Sequence, residues 1–323
     1  MQSDEGYVCL SDIEMGCGAS KEGRRKRVVV FGATGRQGGS VLRALAMDRT
    51  FLAVGVARNG FSAQAMELKK EGYAIVEGDL EDTESLMELL KGAYGCFIVT
   101  SYWDHFDIIR DSQQGKNAVD CAIACGVQHI LYSGQESPKA VIDKCCDPFD
   151  SKRRVEEYLK KKKPEINYTV IRLPYFFDNL LSMIKPHKLR DGHFAIAYPM
   201  GDVPLHGIAV EDIGKCVHKI FKKAEVFRRK IVPLSGDQLT VQEYVHVLNK
   251  HMAPKVFCDP QITLEDYSHF TFKGSKEISA MFAFYKFGRP FRDVRGTRKL
   301  HKGTLSFDDW VAKNKAQLDE LTT

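Results

Sequence analysis

The sequence predicts an α/β protein, a doubly wound parallel sheet with a smaller, helix-rich C-terminal lobe. Three observations carry that expectation. Short β-rich runs alternate with helical stretches from residue 27 to residue 173. A glycine-patterned turn, Gly32 to Gly38, joins the first run to the first helix. Beyond Pro174 the alternation breaks into loops and shorter elements.

In chain order, the strand candidates are residues 27–31, 51–57, 74–77, 96–100, 129–133 and 169–173. Helices are expected between them at 38–47, 63–70, 82–90, 107–125 and 153–162. A β-α-β-α alternation with right-handed crossovers places helices on both faces of one parallel sheet. Residues 1–26 are polar and aperiodic and end in a basic cluster, so they are expected to be a disordered extension. The first domain then covers 27–175 and the lobe 176–323, with segments such as 205–235 returning to the first domain and the lobe's helices concentrated in 240–321.

Composition narrows the class. The chain has 323 residues and is 44% apolar, enough for a sizeable core. No apolar run approaches the ~20 residues that cross a bilayer, and no signal-peptide core is present, so the expected location is cytoplasmic, with the nucleus also open. Nine cysteines, without C-x-x-C pairs or a Cys/His array, indicate neither a disulfide framework nor a metal site. Cys121 and Cys125, four apart on a helix, and the adjacent Cys145 and Cys146 read as ordinary thiols. A net charge of +5, spread thinly and without interleaved aromatics, gives no argument for nucleic acid.

The turn Gly32-x-x-Gly35-x-x-Gly38 follows a strand and opens a helix, the context that a phosphate-binding turn requires. Gly32 permits the tight turn, Gly35 lets backbone amides approach a pyrophosphate, and Gly38 lets helix pack on strand. Thr34, Arg36 and Gln37 lie between them at the helix N-terminus, whose dipole favours anions. This is a Rossmann-type dinucleotide site. At the end of the second strand, where NAD-binding proteins place an acid for the ribose 2′-hydroxyl, stands Arg58. A guanidinium pairs with a 2′-phosphate that an acid would repel, so the expected cofactor is NADP(H). Asp79 and Leu80 after the third strand, and Thr100 and Tyr102 after the fourth, fall at the same rim.

Five segments together resemble the NmrA-like branch of the atypical short-chain dehydrogenase/reductases: Gly32–Ser40 (GATGRQGGS), Phe97–Trp103 (FIVTSYW), Tyr132–Gly134 (YSG), Lys152 with 155–158 (VEEY), and Arg172–Leu180 (RLPYFFDNL). The likeness spans roughly residues 27–320 and includes Gly201–Pro204 (GDVP). It implies NADP(H) binding through Gly35, Gln37, Gly38, Arg58, Asp79, Leu80, Thr100, Tyr102, Lys152 and the 175–179 segment, which includes Tyr175, Phe176 and Asn179. It also implies that such a protein can serve as a sensor or regulator that binds another protein. Gly60-Phe61 stands where relatives carry basic residues, which removes one 2′-phosphate contact.

Active short-chain reductases use a tyrosine acid/base four residues before a lysine, and here that position is Pro148. Lys152 and Ser133 remain, but proline donates no proton. A literal Tyr-x-x-x-Lys, Tyr158 to Lys162, falls ten residues late and reads as a decoy. The sequence therefore favours an NADP(H)-binding redox sensor, a homodimer whose cofactor state controls self-association or a regulatory protein partner. The alternative is an NADPH-dependent reductase of a small carbonyl or quinone acceptor, with Lys152 or Tyr175 as the acid. A third reading rests on Met15–Lys21 (MGCGASK), which has the form of an acylation signal with Gly16 for myristate and Cys17 for palmitate. Acylation would need Gly16 exposed by processing or by translation from Met15, and would then give a membrane-tethered scaffold.

Overall fold

The computed structural model describes residues 25–162 and 166–322, so Gly16 and Cys17 lie outside the described residues. Seven strands form one parallel sheet: β1 (Lys26–Val30), β2 (Phe51–Ala57), β3 (Ala74–Glu77), β4 (Gly95–Ile98), β5 (His129–Gly134), β6 (Tyr168–Arg172) and β7 (Lys230–Pro233). Their spatial order is β3-β2-β1-β4-β5-β6-β7. The order reverses between β1 and its two neighbours, β2 and β4, and the crevice for a ligand opens at that reversal, outside the strands' carboxyl ends.

Both faces of the sheet are buried because successive residues of each strand point to opposite sides. On one side Val28, Val30, Phe97 and Leu131 pack with helix α1 (Arg36–Ala46) and helix α6 (Val210–Lys222). On the other side Val29, Phe31, Cys96 and Ile130 meet helices α3 (Thr83–Leu90), α4 (Ile108–Ala124) and α5 (Asp147–Lys161). Helix α2 (Ala63–Lys70) joins the first side. The first of these layers depends on a close approach: a Cβ at Gly214 of α6 would lie 2.1 Å from the Ser40 carbonyl oxygen of α1. The Ser40 hydroxyl locks the same crossing, donating to the Val210 carbonyl at 2.7 Å and accepting from the Gly214 amide at 3.0 Å.

Helix α5 begins at Asp147, six residues before the expected start at 153. Pro148 sits in its first turn, where an absent N–H is no loss and the fixed φ suits a helix. The lobe also contains more strand than expected. Tyr175–Phe176, Leu205–Ile208 and Asp237–Leu239 form one three-stranded sheet, and His187–Lys188, Phe194–Ala195 and Phe257–Cys258 another. Strands two residues long carry too little alternation to be read from sequence.

The segment 205–235 divides between the two bodies. Helix α6 and β7 complete the large sheet, whereas Leu205–Ile208 pairs with the lobe strands. The backbone thus passes between sheet and lobe after β6, before α6 and after β7, and it comes back to the sheet once more where the Asp293 amide donates to the Pro233 carbonyl at 2.9 Å. An aromatic core fills the lobe, with Tyr175, Phe177, Tyr198, Tyr244, Phe282 and Trp310 buried together. Arg292 pins the lobe to the sheet. Its buried guanidinium donates to Gln135 Oε1 at 2.6 Å beyond β5, to the Leu173 carbonyl at 3.2 Å beyond β6, and to both oxygens of Glu136.

Candidate functional site

At the reversal point the β1–α1 turn is built for close backbone approach. Gly32 adopts φ +66°, and the Gly35 amide donates to its carbonyl at 2.9 Å. A Cβ at Gly38 would fall 2.1 Å from that same carbonyl oxygen, so only glycine lets α1 start here. No side chain caps α1, whose first-turn amides and dipole are left facing the cleft.

A cleft of about 560 Å³ runs over this turn. Its walls bring together every cofactor residue expected from sequence: Gly32, Thr34, Gly35, Arg36, Gln37, Gly38, Arg58, Asp79, Leu80, Thr100, Tyr102, Lys152, Tyr175, Phe176 and Asn179. Several are fixed by one another. Ser133 donates to Gln37 Oε1 at 2.7 Å, tying β5 to the turn. Arg36 donates to the Asp178 carbonyl and to Asn179 Oδ1, both at 3.3 Å, and also to Ser182. Met281 and Tyr285 of the lobe complete the wall beside Pro148 and Phe149.

The lysine is held by a buried polar cluster. Lys152 Nζ donates to the Thr100 carbonyl at 2.9 Å and to the Thr100 hydroxyl at 3.3 Å. Asp111 Oδ2 accepts from the Thr100 hydroxyl at 3.0 Å and from the Ser151 hydroxyl at 2.6 Å. Desolvation holds the Lys152 ammonium below the usual lysine range, against the opposing pull of Asp111.

Tyr175 does not fit the acid role considered for it. Its ring lines the cleft, but its hydroxyl shares a 2.8 Å hydrogen bond with the Tyr198 hydroxyl inside the lobe core. Burial first, then neighbouring tyrosines, push its pKa well above the ordinary value. Tyr102 is similarly occupied, donating to Glu277 at 3.4 Å and Asp147 at 3.5 Å, and burial and these carboxylates raise its pKa. The late Tyr158 lies away from these walls and donates to Asp120 at 2.6 Å, which Lys162 also pairs with at 2.7 Å.

A model described as the NmrA-like family matches residues 24–310. The chain belongs to the NmrA-like family. An NmrA-like family domain-containing protein of Dictyostelium discoideum is 28% identical to it over 91% of this chain and 99% of that one. Among solved structures, NmrA, a negative transcriptional regulator, matches in its complex with NADP with a TM-score of 0.76 and 20% identity, over 90% of this chain and 95% of that chain. The same regulator solved with NAD matches with a TM-score of 0.76 and 19% identity, over 90% of this chain and 95% of that chain. An NADPH-dependent quinone oxidoreductase from Escherichia coli, solved with NADPH, matches with a TM-score of 0.73 and 21% identity over 88% of this chain and 99% of that one. At these identities the structural likeness establishes the fold.

Two contacts, one in the wall of this NmrA-like cleft and one on the chain just beyond Arg58, are not announced by the sequence. Asp104 lines the wall and pairs with Arg58, with guanidinium and carboxylate 2.5 Å apart. Lys69, eleven residues beyond Arg58, turns back to donate to the Gly60 carbonyl at 2.9 Å and covers the Phe61 ring at 5.2 Å. The Arg58–Asp104 contact depends on where two separate loops end, and the Lys69 contact on its helix, Ala63–Lys70, folding back over the segment that leads into it. Among the described residues, no group of three or more His, Cys, Asp or Glu is placed to hold a metal, and no helix is long and apolar enough to cross a membrane.

Proposed function

We propose that this NmrA-like protein binds NADP(H) and acts as a redox sensor and regulator, the cofactor state controlling self-association or the binding of a protein partner. The cleft suits the cofactor on its own terms. The uncapped α1 N-terminus and the Gly32–Gly38 turn offer amides to a pyrophosphate, Arg58 offers a guanidinium to the 2′-phosphate, and Lys152 offers an ammonium to ribose hydroxyls. NmrA, the negative transcriptional regulator solved with NADP and with NAD, lends the reading its precedent.

One observation carries the regulatory part. The wall position one helical turn before Lys152 is Pro148, and the nearby hydroxyls of Tyr102 and Tyr175 are committed to carboxylates and to Tyr198. The cleft holds the parts for binding a dinucleotide, but a proline stands at the helical position from which a short-chain reductase's tyrosine would exchange its proton. Binding energy can then go into favouring one arrangement of lobe and sheet, to the extent that the cofactor's affinity differs between arrangements.

Calorimetric titration with NADPH, NADP+ and NADH, with light scattering on the same samples, tests this. The expected result is binding of both NADP forms, weaker binding of NADH and a change in assembly state on saturation. Indifference to all three would overturn the reading.

A second reading, an NADPH-dependent reductase of a quinone or small carbonyl, draws on Phe149, Met281 and Tyr285, which line the same cleft as Lys152, and on the likeness to the Escherichia coli quinone oxidoreductase. Steady NADPH oxidation with a quinone panel, lost in Lys152→Ala, would favour it.

A further inference from the structure

Arg58 leaves the carboxyl end of β2, and Asp104 follows β4. Because β1 lies between those strands, the Arg58–Asp104 pair spans the carboxyl end of β1, where the glycine turn sits. Both oxygens of Asp104 are engaged: Oδ2 accepts from Arg58 Nη2 at 2.5 Å, and Oδ1 accepts from the Ser101 hydroxyl at 2.9 Å. The side chains are 59% and 38% exposed, so exchanging one anion for another at Arg58 disturbs no core.

A carboxylate and a phosphate compete for one guanidinium through the same charge-assisted hydrogen bonds, and Asp104 already holds Arg58 by Nη2. With Asn59, Gly60 and Phe61 next in the chain and Lys69 turned onto the Gly60 carbonyl, Arg58 has little cationic help on its own loop. From this we infer that Asp104 is a specificity-determining residue: it occupies the seat on Arg58 that the 2′-phosphate would take, and so weakens NADP(H) without weakening NAD(H). The inference rests on the reading that the cleft takes NADP(H). A 2′-hydroxyl cannot displace a carboxylate from a guanidinium, so NAD(H) binds with the pair closed. A 2′-phosphate must open it.

Titration of the full chain with NADP+ and NAD+, in wild type, Asp104→Asn, Arg58→Ala and the double variant, tests the role. Asp104→Asn should tighten NADP+ by about three- to fivefold, the size of an exposed ion pair, and leave NAD+ within about twofold. Arg58→Ala should weaken NADP+ by about tenfold or more. The double variant should match Arg58→Ala, because the aspartate acts only through the arginine. An unchanged NADP+/NAD+ ratio in Asp104→Asn, equal tightening of both, or a gain that persists in the double variant would overturn the role of Asp104. Wild type that binds neither dinucleotide would instead defeat the reading of the cleft, and the proposal with it.

Discussion

Lys152 meets Thr100 twice, through the carbonyl at 2.9 Å and the hydroxyl at 3.3 Å, and the same hydroxyl donates to Asp111. The arrangement places the lysine in the cleft wall and makes it the countercharge of a fully buried aspartate.

Lys152→Ala should therefore have two separable effects. NADPH affinity should fall by about ten- to a hundredfold, the worth of one or two hydrogen bonds to a charged group. Stability should fall by about 1–3 kcal/mol as Asp111 loses its partner. Adding Asp111→Asn to Lys152→Met should restore stability in urea denaturation while calorimetry still shows the weak binding.

Gly38→Ala places a methyl 2.1 Å from the Gly32 carbonyl, and backbone on both sides leaves little room to give. Loss of NADP(H) binding and destabilisation by about 1–3 kcal/mol or more are expected. Thermal melts with and without NADPH should show a lowered midpoint and no shift on adding cofactor.

Tyr175→Phe removes a hydroxyl whose partner, Tyr198, is itself buried. A cost of about 1–2 kcal/mol in stability is expected, with cofactor affinity and any acceptor reduction unchanged. Loss of turnover in this variant, in a preparation where wild type turns over, would return Tyr175 to the list of acids.

His129 gives the fold a pH dependence. The ring is buried in β5, its Nε2 lies 2.9 Å from the Thr169 hydroxyl, which donates onward to the Phe227 carbonyl, and its Nδ1 has no partner. Burial lowers its pKa from 6.5 to about 4. The folded value lies below the unfolded one, so the unfolded chain takes up a proton first, and stability present above pH 6.5 is lost as pH falls toward 4. The full loss is roughly 3 kcal/mol. His206, also lowered to about 4 by burial, adds to the same window. Urea midpoints at pH 7.5 and 4.5 should differ by less in His129→Gln than in wild type.

The parallel sheet and the glycine turn were legible because their signals are local: apolar runs such as Val28–Phe31 and a fixed spacing of glycines after a strand. Arg58 was legible for the same reason, by its place at a strand end. Asp104 was not, since it reaches Arg58 only after β1 has been threaded between β2 and β4. The Tyr175 hydroxyl was misjudged because period and spacing say which residue reaches a wall, not which way its polar end turns once Tyr198 is packed against it. Helix α5 began earlier than read because Pro148, a helix breaker in mid-helix, is harmless in a first turn.

The repeated backbone passages between sheet and lobe set a mechanical limit. A lobe on one linker can swing; one held at several separated points, and pinned by Arg292 to the ends of β5 and β6, has no single axis about which to open widely. Motion available to it is a shallow slide or twist of packed side chains. Under the proposed sensor role, a cofactor signal would then travel as a small change in the contour of the outer surface, readable by a partner that fits it closely and invisible to one that merely touches it.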